Sequence, residues 1–190
     1  MQKGYFHRVH ELSPTRFWIN NPTPAETDLA IAAGAISCTT NPTYAMKQLQ
    51  HEQTRAETLR FIEEAIAQTE EDDEAADLVF QRLAKRIMDK FLPLFERKPG
   101  EQGFVSIQGN PFKDDDADHV VAEALRYRRL GRNFITKIPV IEPGIRAIER
   151  LIPEDIPIIA TEVMGLPQTI AVCEVYRRVS GRSGKRPPFY

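Results

Sequence analysis

The chain has 190 residues, 25 Lys plus Arg against 27 Asp plus Glu for a formal net charge of −2, and 42% hydrophobic residues. A chain of this size buries roughly 70% of its unfolded surface in one core, which argues for a single folded domain and against native disorder. The near-neutral balance argues against nonspecific nucleic-acid binding, which needs a net basic surface.

No apolar stretch approaches the roughly 18 residues that span a bilayer, and Met1-Gln2-Lys3-Gly4-Tyr5 leads into no secretory apolar segment, so the cytoplasm is the expected address. With only Cys38 and Cys173, a disulfide framework is not expected. Both are read as small hydrophobes packed in a reducing compartment, with a single bridge left open.

Short apolar runs alternate with longer segments of helical period. Arg16-Phe17-Trp18-Ile19-Asn20 is the first strand-like run. After Asn21-Pro22, Thr23 and Glu26 stand at capping-box spacing with Pro24 at the first helical position. Leu29, Ala32 and Ala33 follow at helical spacing, Gly34 stops the helix, and 35–40 reads as a second strand cut off by Asn41-Pro42. The next sixty residues carry no strand signal. Leu59, Ile62 and Ile66 line one face of a first clear helix, and Val79, Leu83, Ile87 and Phe91 recur at i, i+4 in a second. The acidic run 70–74 between them is read as a solvated turn and helix N-terminus rather than a metal site.

Gly103-Phe104-Val105-Ser106-Ile107-Gln108 restores the strand pattern. A helix from near Asp116 carries Val121, Ala124 and Leu125 and stops at Gly131. Phe134-Ile135-Thr136-Lys137-Ile138-Pro139 is the fourth strand, followed by a helix with Ile145, Ile148 and Ile152 inward. Residues 156–161 form a fifth strand, a helix through Val172 and Tyr176 ends near Gly181, and Pro187-Pro188-Phe189-Tyr190 approaches a sixth strand. Five βα units in tandem predict an α/β fold with a parallel sheet, open or barrel-like. A closed (β/α)8 TIM barrel takes about 250 residues, so an incomplete barrel is expected here.

Lys137 stands out because a strand of a parallel sheet is buried on both faces, where a lysine loses hydration and its charged form is disfavoured. An amine in that state can attack a carbonyl and form a Schiff base. The alternative is a strand-end lysine that reaches out or pairs with Glu142. Other polar groups fall at strand C-terminal ends, where α/β folds place their chemistry: Asn20 and Asn21, Thr39 to Asn41, Gln108 and Asn110, Thr161 and Glu162. His7, His10, His51 and His119 are scattered and receive no role, and the basic residues from Arg177 to Arg186 are read as a solvated helix end.

Two motifs carry a resemblance. Thr39-Thr40-Asn41-Pro42 after the second strand and Lys137-Ile138-Pro139 on the fourth resemble the transaldolase family, with support from Val105 to Gln108 and from Glu142, Gly144 and Ala147-Ile148. The resemblance runs from about Phe17 to the C-terminus. It implies one (β/α)8-type domain over 1–190, represented by its first five βα units and truncated at its C-terminus. It also implies a transferase of aldehyde or ketone residues of the pentose phosphate pathway type, moving a dihydroxyacetone unit between sugar phosphates. No metal, organic cofactor, nucleic-acid or membrane partner is implied.

Lys137 would form the Schiff base, Asn41 with Thr40 would bind substrate, and Thr161 matches a threonine that places the catalytic water. Departures fall at Asn20, where the family carries its acid/base aspartate, at Gln108, where it carries a water-binding glutamate and the related fructose-6-phosphate aldolases carry glutamine, and at Ile159 and Gly165. The family's phosphate-binding arginine lies beyond the sixth strand. Three readings follow: a divergent transaldolase, a fructose-6-phosphate-aldolase-like relative, and an inactive half-barrel that covers its sheet edge by homo-oligomerisation. Glu162 is a substitute acid whose strand parity points it away from the interior.

Overall fold

The computed structural model describes residues 4–190, so Met1, Gln2 and Lys3, which enter the reading of the N-terminus above, lie outside the described residues. In chain order the elements are α1 (Tyr5–Leu12), β1 (Trp18–Asn20), α2 (Pro24–Ala33), β2 (Ser37–Thr39), α3 (Tyr44–Gln50), α4 (Glu52–Ile66), α5 (Asp72–Arg97), β3 (Val105–Gln108), α6 (Ala117–Tyr127), β4 (Phe134–Pro139), α7 (Glu142–Leu151), β5 (Ile158–Thr161) and α8 (Leu166–Ser183). They divide into two compact units at Val105, inside β3. The described residues hold five βα units, the repeat of a partial (β/α) barrel, and not the eight of a closed one. None of their helices is long and apolar enough to cross a membrane.

In the first unit β1 and β2 pair in parallel with Asn20 opposite Thr39, and β2 meets the start of β3 in parallel at Cys38 and Val105. The link from β1 to α2 follows the capping box: Glu26 N donates to Thr23 Oγ1 and Thr23 N donates to Glu26 Oε2 at 2.7 Å. The αL conformation that ends this helix falls on Gly34, with φ 109°, where a Cβ would be strained.

The i, i+4 stripe of α5 forms the core as expected, with Val79, Leu83, Ile87 and Phe91 all buried. Asp72, Asp73 and Glu74 sit in its first turn, where negative charge meets the positive end of the helix dipole.

The larger apolar residues of two helices face outward. Leu59 and Ile66 are exposed, and α4 instead buries Thr54, Thr58 and Ala65. The hydroxyls accept burial because each has a carbonyl: Thr54 Oγ1 donates to Gln48 O at 2.6 Å and Thr58 Oγ1 to Thr54 O at 2.8 Å. Short side chains then allow close approach of α4 to α5. On α2, likewise, Leu29, Ala32 and Ala33 face solvent while Thr27 and Ala30 are buried. Cys38 is buried but Cys173 is exposed, which corrects the expectation of two packed thiols; both are free.

In the second unit the strand order is β3-β4-β5. β4 and β5 run parallel with Lys137 opposite Ile159 and Pro139 opposite Thr161. β3 is buried at every position and β4 at every position except Lys137, which is half-buried. Helix α7 turns Gly144, Ala147, Ile148 and Leu151 inward. The expected approach to a sixth strand is present as a parallel bridge between Ile158 and Phe189, with Ile158 N donating to Pro188 O and Ala160 N to Tyr190 O. Tyr176 holds that segment through its hydroxyl to Pro187 O at 2.8 Å.

Candidate active site

The first unit brings Asn20, Asn21 and Asn41 together where β1 and β2 end. Asn41 Nδ2 donates to Asn20 Oδ1 at 2.8 Å, and Asn41 N donates to Asn21 Oδ1 at 2.9 Å. Asn21 has φ 48°, a left-handed turn that asparagine tolerates, and its N–H donates to Thr39 O. Asn20 is exposed and Asn41 half-buried, whereas Thr40 is fully buried beneath them. Lys47, which no motif singled out, donates from Nζ to Asn21 O at 2.9 Å and to Glu26 Oε2 at 3.0 Å. The cluster is a pair of linked carboxamides, able to bind hydroxyls but without a proton to exchange near neutral pH.

In the second unit Gln108 ends β3 and is buried, Lys137 stands mid-strand in β4, and Thr161 ends β5 with medium exposure. By strand alternation Lys137 and Pro139 share a face, and register places Thr161 beside Pro139 on that same face. Burial lowers the Lys137 amine below its ordinary value, while the Glu162 carboxylate opposes that shift.

Strand parity does not set the direction of Glu162, because β5 ends at Thr161. With φ 60° Glu162 turns into the left-handed region, where strand alternation no longer applies, and its charge acts on both Lys137 and Asp114. A non-glycine there costs roughly 1–2 kcal/mol. The turn is braced by Gln168, which donates from Nε2 to Glu162 O and Val140 O and accepts at Oε1 from Met164 N and Gly165 N. One carboxamide thus ties the segment after β4 to the turn after β5.

Asp114 was missed. Within 111–116 it alone is half-buried, its neighbours being exposed, and its carboxyl is pushed up to about 6 by burial and then by Glu162 and Glu123. The signal available was three consecutive aspartates after a strand end. Only the last of them, Asp116, is the helix cap, accepting from Asp118 N and His119 N. Glu142, the acid offered as a partner for a strand-end Lys137, pairs with Arg146 at 2.5 Å on the exposed side of α7.

Comparison with known proteins decides the family. Residues 18–184, which take in all five strands, match the family described as Transaldolase/Fructose-6-phosphate aldolase. The chain belongs to this family. Similar relatives include a "Transaldolase" of Trichodesmium erythraeum (strain IMS101), 32% identical over 101 residues, which are 52% of this chain and 26% of that one. A "Transaldolase" of Helicobacter pylori (strain Shi470) is 36% identical over 74 residues, 38% of this chain and 23% of the relative. A third, from Thiobacillus denitrificans (strain ATCC 25259 / T1), is 34% identical over 96 residues, 50% and 27%. The match therefore spans about a quarter of the length of these curated relatives. The resemblance read from the Thr-Thr-Asn-Pro and Lys-Ile-Pro motifs is borne out at the level of the family.

Proposed function

We propose that this transaldolase-family protein transfers a dihydroxyacetone unit between sugar phosphates through an imine on Lys137. The observation that supports this most directly is the half-buried amine in the middle of β4, in a strand otherwise buried and with its charged form disfavoured by burial. In this reading the neutral Lys137 Nζ attacks the ketose carbonyl and water leaves to give the imine. The protonated imine then takes up the electron pair of the carbon–carbon bond one carbon removed from it (Cα–Cβ) as the hydroxyl on the far carbon gives its proton to a base; the aldose leaves as an aldehyde and the dihydroxyacetone unit stays as the enamine. Asn41, with Thr40 beside it, binds substrate hydroxyls. Gln108 and Thr161 place the water that carries protons as the imine forms and attacks it in hydrolysis. Asn20 retains the position of the family's acid/base group but holds only a hydrogen bond, to Asn41.

The proton that Asn20 cannot carry falls to Asp114, the half-buried carboxyl near neutral titration in the same unit as Lys137, with Glu162 holding charge beside both. Gln108 and Asn20 favour a second reading, simple aldol cleavage of the fructose-6-phosphate aldolase type, which shares the imine.

The test is to incubate the protein with fructose 6-phosphate, reduce with borohydride and locate the adduct by mass spectrometry. A dihydroxyacetone or hexose adduct on Lys137, absent in Lys137→Met, is expected. An unmodified Lys137, or adducts confined to other lysines, overturns the reading. Adding an aldose phosphate acceptor then separates transfer from release of free dihydroxyacetone.

A further inference from the structure

Glu123, on α6, is a buried carboxylate that the proposed chemistry does not use; its side chain is 8% exposed. Its Oε1 accepts from Asn110 N at 3.3 Å and from Tyr127 Oη at 3.3 Å, and the Arg126 guanidinium lies 3.7 Å from it. The other oxygen lies against the backbone of Gly109, so close that a Cβ built there would stand 1.9 Å from Oε2. Gly109 follows Gln108 directly, and Asn110 begins the 3-10 turn that leads to Asp114, accepting from Phe112 N at 3.0 Å.

A carboxylate is costly to bury, and this one is buried where it holds the backbone immediately after β3. The glycine is what lets it reach. We infer that Glu123 is a positioning residue that clamps the Gln108-Gly109-Asn110 turn and so sets where Gln108 and the Asp114 segment lie. Its importance for turnover rests on the imine reading above; the clamp itself does not.

The test uses the full chain and the variants Glu123→Ala, Glu123→Gln, Gly109→Ala and, as a milder change, Tyr127→Phe. Two readouts are taken: amide hydrogen exchange by peptide, and the rate and pH profile of borohydride-trapped adduct on Lys137. Losing a hydrogen bond to a charged group predicts exchange about tenfold to a hundredfold faster over 109–114 in Glu123→Ala and Gly109→Ala, with 142–151 unchanged. Glu123→Gln, which keeps the acceptor oxygen, restores most of the protection, and Tyr127→Phe gives a smaller local increase. Adduct formation slows about tenfold in the first two variants, with a shifted pH profile. Unchanged exchange over 109–114, or an equal increase across the whole unit, overturns the clamp. Should Glu123→Ala fail to fold, Tyr127→Phe and Glu123→Gln decide it by the same local readout. Wild-type protein without adduct refutes the imine reading and leaves the clamp to stand or fall on exchange.

Discussion

Replacing Gly144 with alanine puts the packing behind Lys137 under direct test. A Cβ at residue 144 would lie 2.0 Å from Pro139 O, and 3.2 Å from both Pro139 C and Ile138 Cγ2. The obstacle is backbone at the end of β4, and Pro139 O also accepts from Ile141 N at 3.0 Å, so it cannot turn aside without losing that bond. Relief to an ordinary contact of about 3.4 Å requires α7 and β4 to separate by about 1.4 Å, which loosens Ile148 and Leu151, both fully buried. Overpacking costs about 1–3 kcal/mol and the weakened hydrogen bond about 1 kcal/mol, against a gain of about 0.5–1 kcal/mol for removing a helical glycine. The net is a loss of about 2 kcal/mol, a fall in Tm of about 4–8 °C for a chain of this size. Gly181→Ala on α8 is the matched control: nothing lies within 4 Å of its added Cβ, so it should gain about 0.5–1 kcal/mol. Both are read by thermal and urea unfolding followed by circular dichroism. A Gly144→Ala protein as stable as the parent would refute the close approach of α7 to β4.

Two further substitutions read out the electrostatics of the second unit. Lys137→Met removes a partly desolvated cation and should leave stability unchanged or raised. Because burial lowers the folded-state value, the charged amine is penalised below it, and the penalty fades as pH rises toward the unfolded value of about 10.4. The gain from Met should therefore be larger at pH 7 than at pH 10.5. A loss of about 2 kcal/mol or more at pH 7 would instead expose a structural ion pair. Asp114→Asn tests a carboxyl raised to about 6 by burial, Glu162, Glu123 and Asp115, with His119 opposing. The folded state then binds the proton more tightly than the unfolded one, so the parent loses stability as pH rises from about 4 through about 6. At 1.36 kcal/mol per unit the shift sets a ceiling of about 3 kcal/mol, and half-exposure screens this to about 1 kcal/mol. The variant should match the parent at pH 4 and exceed it by about that amount at pH 8 in urea unfolding. Equal differences at both pH values would remove Asp114 as the titrating group.

What could be read from the chain depended on whether its signal was local. The Thr23 and Glu26 box, Pro24 and Gly34 act within one turn of helix, and the structure realises each of them. The stripe on α5 is long enough for its period to outweigh exceptions. Leu59 and Ile66 face outward because hydrophobicity alone does not choose the buried face when threonines whose hydroxyls bond to helix carbonyls permit closer packing. Helix α1 places Tyr5, Val9 and Leu12 at helical spacing but is only eight residues long, with no side-chain cap at Gly4 and no buried residue, so its signal is short. Its attachment comes from Phe6 stacking on Phe17 at 4.1 Å, a contact no pattern encodes.

In the site the same division holds with a different consequence. Lys137 was legible because a charged residue inside an apolar strand contradicts its surroundings, and contradictions of local rules concentrate where chemistry is done. Asp114, Glu123 and Gln168 contradict nothing locally: a loop aspartate, a helix glutamate and an early-helix glutamine are all ordinary where they stand. What distinguishes them is three-dimensional, a carboxyl half-buried among other carboxyls, a carboxylate pressed on a glycine, and one amide bonded to two loops. The resemblance implies an acid at the end of the first strand, where this chain carries the amide of Asn20. The motifs that carry the resemblance say nothing of the loops after β3 and β5, where Asp114 and Glu162 lie; Glu162 acts electrostatically on both Lys137 and Asp114. If proton transfer has moved from the first strand to those loops, its pH dependence must follow Asp114 rather than any substitution at Asn20. Asn20→Asp should then leave the pH profile of adduct formation in place, while Asp114→Asn removes its limb near pH 6; a profile that moves with Asn20→Asp would return the proton to the first strand.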